Sequence, residues 1–181
     1  YILYSPRSGP GGQRLSITYQ NFLEALGAEG TAGVTRVQWD RAWSYGENRL
    51  MGGVRVSTAH GGDDLLAAYG FLGGLANLSG YPEAAIFAPQ TALARTVLYR
   101  RVAHADSLLT IPLYVGGSLE WGGYWARRSD VELGDMMLAG SAFVGVQSFL
   151  GPIFLGYGRA EGGTDSFYLT FGSLLRMLDG F

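Results

Sequence analysis

Gly151-Pro152-Ile153-Phe154-Leu155-Gly156-Tyr157-Gly158-Arg159-Ala160-Glu161-Gly162-Gly163-Thr164-Asp165-Ser166-Phe167-Tyr168-Leu169-Thr170-Phe171-Gly172 is the stretch that decides the fold. Two short runs flank a turn rich in Gly and Asp. In the second run Phe167, Leu169 and Phe171 point one way, and Ser166, Tyr168, Thr170 and Gly172 point the other. A period of two is the mark of a strand with one apolar face. The pair reads as a hairpin, with Phe167, Leu169 and Phe171 on the terminal strand.

The same alternation recurs upstream and predicts eight to nine strands. The first covers Tyr1 to Ser5. Arg14 to Phe22 sets Leu15, Ile17 and Tyr19 against Ser16, Thr18 and Gln20. Gly33 to Trp43 sets Val37 and Trp39 against Arg36, Gln38 and Asp40. Arg49 to Thr58 follows, then Tyr69 to Leu75 as a short strand entering a loop, then Ala92 to Val102. Leu109 to Trp121 puts Leu109, Ile111, Leu113, Val115, Leu119 and Trp121 opposite Thr110, Tyr114, Ser118 and Glu120. Met136 to Phe149 precedes the closing hairpin. Strands of roughly 10 residues with apolar–polar dyads match a transmembrane barrel, whereas strands of soluble sandwiches run nearer 5–6 residues. Short turns (Gly151-Pro152) alternate with longer connections (76–91, 123–135), as outer-membrane barrels do. Helix is confined to one or two turns within Asp63 to Tyr69 and to Leu174 to Leu178.

Composition agrees. The chain has 181 residues, of which 48% are hydrophobic and only 15% charged, below the roughly 25% charged of soluble domains. No apolar run approaches the ~18 residues of a membrane-spanning helix. Gly occurs 29 times without a period of three, which suits strand bends and tight turns. The net charge of -2 provides no basic face for nucleic acid. The absence of Cys removes disulfides, thiolate metal ligands and a thiol nucleophile. No signal peptide is visible, and a start at Tyr1 reads as a truncation or a processed end.

If the sheet is a barrel in lipid, Arg36, Asp40, Arg55 and Glu120 line its lumen, because a cation facing lipid costs roughly 2–4 kcal/mol at the midplane. Arg100 and Arg101 are consecutive, so one of them faces outward near an interface. Trp39, Trp43, Trp121, Trp125, Tyr99 and Tyr124 fall near strand ends and suit aromatic girdles.

A resemblance extends this reading. Phe71-Leu72-Gly73-Gly74-Leu75-Ala76-Asn77-Leu78-Ser79-Gly80-Tyr81, Tyr99-Arg100-Arg101, Leu113-Tyr114-Val115-Gly116-Gly117-Ser118-Leu119-Glu120 and Gly151-Pro152 with Gly156-Tyr157-Gly158 together resemble the C-terminal barrel of the bacterial surface antigen (BamA-like) superfamily. Within it they are most similar to the barrel of PlpD-type patatin-like phospholipases, which belong to type V secretion. The likeness spans residues from about 9 to 173. It implies that residues 1–181 are the C-terminal portion of an outer-membrane β-barrel, half of a sixteen-stranded wall. The family's loop motif is hydrophobic-Arg-Gly-aromatic, with the Arg tucked against an acidic residue inside the barrel. Here Leu78-Ser79-Gly80-Tyr81 places Ser79 where that Arg is expected and leaves Glu120 without an obvious partner, although Ser79 can still hydrogen-bond to the wall. Half the family's strands leave three outcomes: upstream strands complete the wall, copies combine, or a smaller barrel closes.

A lipase needs an activated nucleophile, usually in Gly-x-Ser-x-Gly. Ser118 comes nearest, but Glu120 replaces the second Gly, and in a strand it reads as a lumen-facing polar residue. Asp179-Gly180 resembles the Asp-Gly of the patatin dyad and reads as a frayed terminus. His60 with Asp63 and Asp64, and His104 with Asp106, are incomplete ligand sets and read as solvated loops. No metal, cofactor or catalytic residue is therefore expected in this segment.

The resulting expectation is an all-β, antiparallel transmembrane barrel segment in the bacterial outer membrane. It would anchor or translocate an attached N-terminal patatin-like phospholipase domain through a polar-lined pore and catalyse nothing itself. Its expected partners are membrane lipid or lipopolysaccharide, the patatin domain, the barrel assembly machinery and a second copy of the chain. Two other readings stand beside it, a soluble lipocalin-like ligand-binding barrel and an autonomous lipid hydrolase. The side taken by Leu109, Ile111, Leu113, Val115, Phe167, Leu169 and Phe171 separates the first two, since a lipocalin turns such residues inward.

Overall fold

The structure is a computed structural model that describes residues 2–4, 12–23, 31–61, 68–102, 113–148 and 151–171. Eleven strands follow one another: β1 (Ile2–Tyr4), β2 (Gln13–Phe22), β3 (Ala32–Tyr45), β4 (Asn48–Gly61), β5 (Gly70–Leu72), β6 (Ile86–Ala88), β7 (Gln90–Val102), β8 (Leu113–Trp125), β9 (Met137–Ser148), β10 (Gly151–Ala160) and β11 (Asp165–Phe171). Among the described residues the only helical turns are 3-10, Arg128–Asp130 and Leu133–Asp135 among them.

Nine of the strands form one antiparallel sheet in the order β1-β2-β3-β4-β7-β8-β9-β10-β11, while β5 and β6 make a small separate hairpin. Seven of the nine are 10–14 residues long, about twice the usual strand. β3 and β4 are joined by the two residues Gly46 and Glu47, with Gly46 at φ +60°. That left-handed position is what a two-residue hairpin turn needs to match strand twist. The connections at the other end of the strands are mostly longer, running 62–89 around β5 and β6 and 126–136.

β1 and β11 are the two edges of the sheet and do not pair with each other. The sheet is therefore open, and the smaller closed barrel does not form. A physical reason is at hand. An eight-stranded barrel has room inside only for its own side chains, whereas here one face of the sheet also carries a backbone segment, residues 73–85.

That segment divides the sheet into a covered face and an open face. Under it lie two apolar clusters. Leu75 and Ala76 pack with Met51, Val97, Phe143, Phe154 and Tyr168; Leu78 packs with Leu72, Ile86, Leu93, Ala139 and Ala160. The open face carries Leu15, Ile17, Val37, Trp39, Val54, Val56, Leu98, Leu113, Val115, Leu119, Trp121, Leu138, Val144, Val146, Leu155, Phe167, Leu169 and Phe171, all exposed. By register its charged residues are Arg41, Arg100, Arg159 and Asp165, each within four residues of a strand end.

The sequence placed most strands within a few residues. The largest shift is β8, which runs on to Trp125 through Gly122-Gly123. β6 was missed, being three residues after a loop. Leu109, Ile111, the helical turn at 174–178 and most of that at 63–69 lie outside the described residues.

Candidate functional site

The geometry centres on the segment 73–85 and the wall beneath it. The segment turns tightly: Gly73 N donates to Asn77 O at 2.7 Å, Asn77 Nδ2 donates to Gly73 O at 2.9 Å, and Gly74 N donates to Tyr81 O at 3.0 Å. Ala76 and Leu78 sit at φ +58° and +70°, a left-handed conformation that costs a side chain roughly 1–2 kcal/mol. The cost is borne because Leu78 is wholly buried, and burying a Leu returns about 1.5–3 kcal/mol.

Ser79 is the point of attachment. It is 0% exposed, and the Glu120 carboxylate that meets it is 1% exposed. Ser79 N donates to Glu120 Oε2, and Ser79 Oγ donates to Glu120 Oε1 at 2.7 Å. Ser79 Oγ also accepts from Ala76 N at 2.9 Å. Ser118 Oγ donates to the same Glu120 Oε1 and lies against Ser141 Oγ. Because Ser118 spends its proton on the carboxylate, Ser141 is the donor in that second pair. Glu120 thus accepts three hydrogen bonds, and the reading that left it without a partner is corrected. Ser79 sits 41 residues away from Glu120 in sequence, and only the register of β7 and β8 beneath the loop brings them together.

The next two residues are held by β11. Gly80 N donates to Tyr168 Oη at 2.8 Å, Tyr168 Oη donates to Tyr81 O at 2.8 Å, and Ser166 Oγ donates to Gly80 O at 3.0 Å. Gly158 makes this approach possible: a Cβ there would stand 2.5 Å from Ser79 Cβ and 3.0 Å from Gly80 N. The four residues Leu78, Ser79, Gly80 and Tyr81 therefore meet the wall on β7 to β11.

Charge is arranged beside them. Arg95 faces Glu120 directly across the β7–β8 pair, close enough for their side chains to interact. Its guanidinium pairs with Asp40 at 3.2 Å and donates to Ala76 O at 3.4 Å. Arg95 is 8% exposed, and sequence reading passed over it. The signal was its place in the alternation of β7, but its partner could be named only once register set Asp40 and Arg95 in one row across Gly53. Gln38 Nε2 donates to Asp40 Oδ2 at 2.6 Å. Arg55 donates to Asn77 Oδ1 in the loop and lies 5.8 Å over the Phe71 ring. Arg36 donates to Gln20 Oε1 at 2.7 Å and to Tyr69 O at 3.4 Å. Arg36, Asp40, Arg55 and Glu120 thus share the covered face.

Phe167, Leu169 and Phe171 are on the open face, 79%, 63% and 65% exposed. Leu113 and Val115 share that face, opposite the charged residues. Among the girdle candidates, Trp39, Trp43 and Trp121 have open-face register. Tyr99 does not. It packs against the covered cluster, 6.3 Å from Tyr114. Trp125 is folded over Gly123 and buried.

The arrangement is suited to holding a segment against a wall. Ser118 is hydrogen-bonded to a carboxylate, and His60 Nε2 lies 2.8 Å from Thr35 Oγ1 at the rim. No cluster of three or more metal-ligating side chains occurs among the described residues. Asp63, Asp64, His104, Asp106, Asp179 and Gly180 lie outside them. No protein-family model matches this chain, and a search of curated proteins finds no match.

Proposed function

We propose that this chain is part of the wall of an outer-membrane β-barrel. Its open face meets lipid and its covered face lines a polar lumen, into which residues 73–85 fold. One observation carries the reading. The exposed side of the sheet is apolar across eight strands, while the charged side chains lie beneath an inward segment or at the rim. A soluble barrel reverses that distribution. In lipid every strand hydrogen bond must be met internally, so the open edges β1 and β11 call for further strands, as half of a sixteen-stranded wall would supply.

On the resemblance to PlpD-type patatin-like phospholipases, the wall anchors or translocates an attached lipase domain and is not itself catalytic. In that family a loop Arg meets a wall carboxylate. Here Ser79 meets Glu120, and the cation, Arg95, stands on the wall and reaches the loop backbone. The attachment of the loop is kept with the positive charge moved.

The test uses vesicles whose acyl chains carry bromine, which quenches indole fluorescence on contact. Trp39 and Trp121 are expected to be quenched strongly in the reconstituted chain, and Trp121→Phe to remove part of that loss. A chain that stays monodisperse and folded without detergent, with no quenching in such vesicles, would sink the reading.

A further inference from the structure

A cavity of about 310 Å³ opens where the apolar open face ends and the connection 126–136 begins. Val56, Ala92 and Val131 give it apolar walls; Gln90, Trp125 and Arg128 give it polar ones. Trp125 is only 6% exposed, and its indole Nε1–H is buried with no hydrogen-bond partner. A buried donor left unmade keeps its full cost of desolvation, so an orphan of this kind calls for an explanation. Gln90 lines the same cavity and donates through Nε2 to Ala59 O at 3.3 Å, but no atom of it accepts from Trp125 Nε1. The carboxylates of the neighbouring connection, Asp130, Glu132 and Asp135, do not line the cavity.

The cavity therefore has among its lining residues a buried N–H donor, a guanidinium and aliphatic side chains. Its volume is at the small end of ligand sites and takes a headgroup with the first carbons of a chain. We infer that this rim cavity binds an amphiphile bearing a phosphate headgroup, with a phosphate oxygen accepting from Trp125 Nε1, its charge met by Arg128 and its chain laid along Val56 and Ala92. Arg is the residue suited to phosphate oxygens. The inference rests on the membrane reading for the source of the ligand, a lipid at the edge of the bilayer, but not for the chemistry of the site.

The experiment keeps the two apart. The chain, labelled with ¹⁵N at its indoles and held in dodecyl maltoside, is titrated with dodecyl phosphate and separately with inorganic phosphate. The Trp125 signal is identified by its loss in Trp125→Phe. The expected result is a saturable downfield shift of that signal with dodecyl phosphate, little with inorganic phosphate, and binding roughly tenfold weaker in Arg128→Gln. A signal that stays still at saturating dodecyl phosphate, or an unchanged affinity in Arg128→Gln, overturns the site. Equal affinity for inorganic phosphate keeps the anion site and overturns its lipid source. Failure here with strong quenching of Trp39 and Trp121 in brominated vesicles leaves the membrane reading intact.

Discussion

The two faces of β8 are built from the same thirteen residues and obey opposite rules. On the open face stand Leu113, Val115, Leu119 and Trp121, exposed and without a charge. On the covered face stand Gly116, Ser118, Glu120 and Gly122. There a Cβ on Gly122 would stand 3.0 Å from Leu78 Cδ1, and Glu120 is among the most deeply buried side chains of the protein. Polar chemistry is inside and apolar bulk outside. Water rewards neither choice. An exposed aliphatic sheet loses the hydrophobic gain, and a buried carboxylate is tolerated only when its hydrogen bonds are made. Both choices make sense together if the solvent outside is lipid and the covered face is a lumen with a segment folded into it.

The largest effect is expected where the covered face would be broken. Glu120→Ala strands the Ser79 N–H and the hydroxyls of Ser79 and Ser118 in a dry site. Each buried unmade donor costs roughly 1–3 kcal/mol, and since the three share one partner the total should be on the order of 3–5 kcal/mol. The check is unfolding in detergent, together with limited proteolysis, which should open at 73–85 before any strand is cut. A variant with wild-type unfolding and an intact loop would mean that the segment is held by its apolar contacts alone.

The open face is tested by a charge. Leu155 is 55% exposed at the middle of β10, between Val144 and Leu169. In water, replacing so exposed a side chain changes stability by no more than about 0.5 kcal/mol. In lipid, Leu155→Arg should cost about 2–4 kcal/mol near the midplane. Equilibrium unfolding from vesicles gives the number directly, and a value near zero would return this face to water.

The contrast between the faces was legible in the sequence because period two is local. Phe167, Leu169 and Phe171 could be set against Tyr168 and Thr170 without knowing any partner. What holds the faces in place was not legible. Ser79 and Glu120 meet through register across a 41-residue separation, which alternation does not encode. Arg95 was hidden because Ala92-Leu93-Ala94-Arg95-Thr96 has small residues at the open-face positions, so its alternation is faint. Tyr99 was misassigned to a girdle because position near a strand end says nothing about which face a side chain takes. The alternation predicts a strand that stops at Trp121, yet β8 continues through Gly122-Gly123 to Trp125, and Gly122 is where the wall lets Leu78 approach.

The rim should behave like neither face. Arg100 sits on the open-face register but close to the end of β7, where it meets Glu47 at 3.3 Å with 60% and 54% of the two side chains exposed. So open a pair is screened by salt and loses in side-chain freedom much of what it gains in charge. Arg100→Gln should therefore shift stability by less than about 0.5 kcal/mol, in detergent and in vesicles alike. The same Arg at Leu155 is expected to be costly, so the two variants measured side by side gauge depth: a residue of one chemistry is neutral at one height on the sheet and destabilising at another. If Arg100→Gln instead stabilised the vesicle-bound protein by 2 kcal/mol or more, the cation would lie within the hydrocarbon. The apolar belt would then extend further along β7 than Leu98, and the boundary between face and rim would have to move past Asn48 and Arg100.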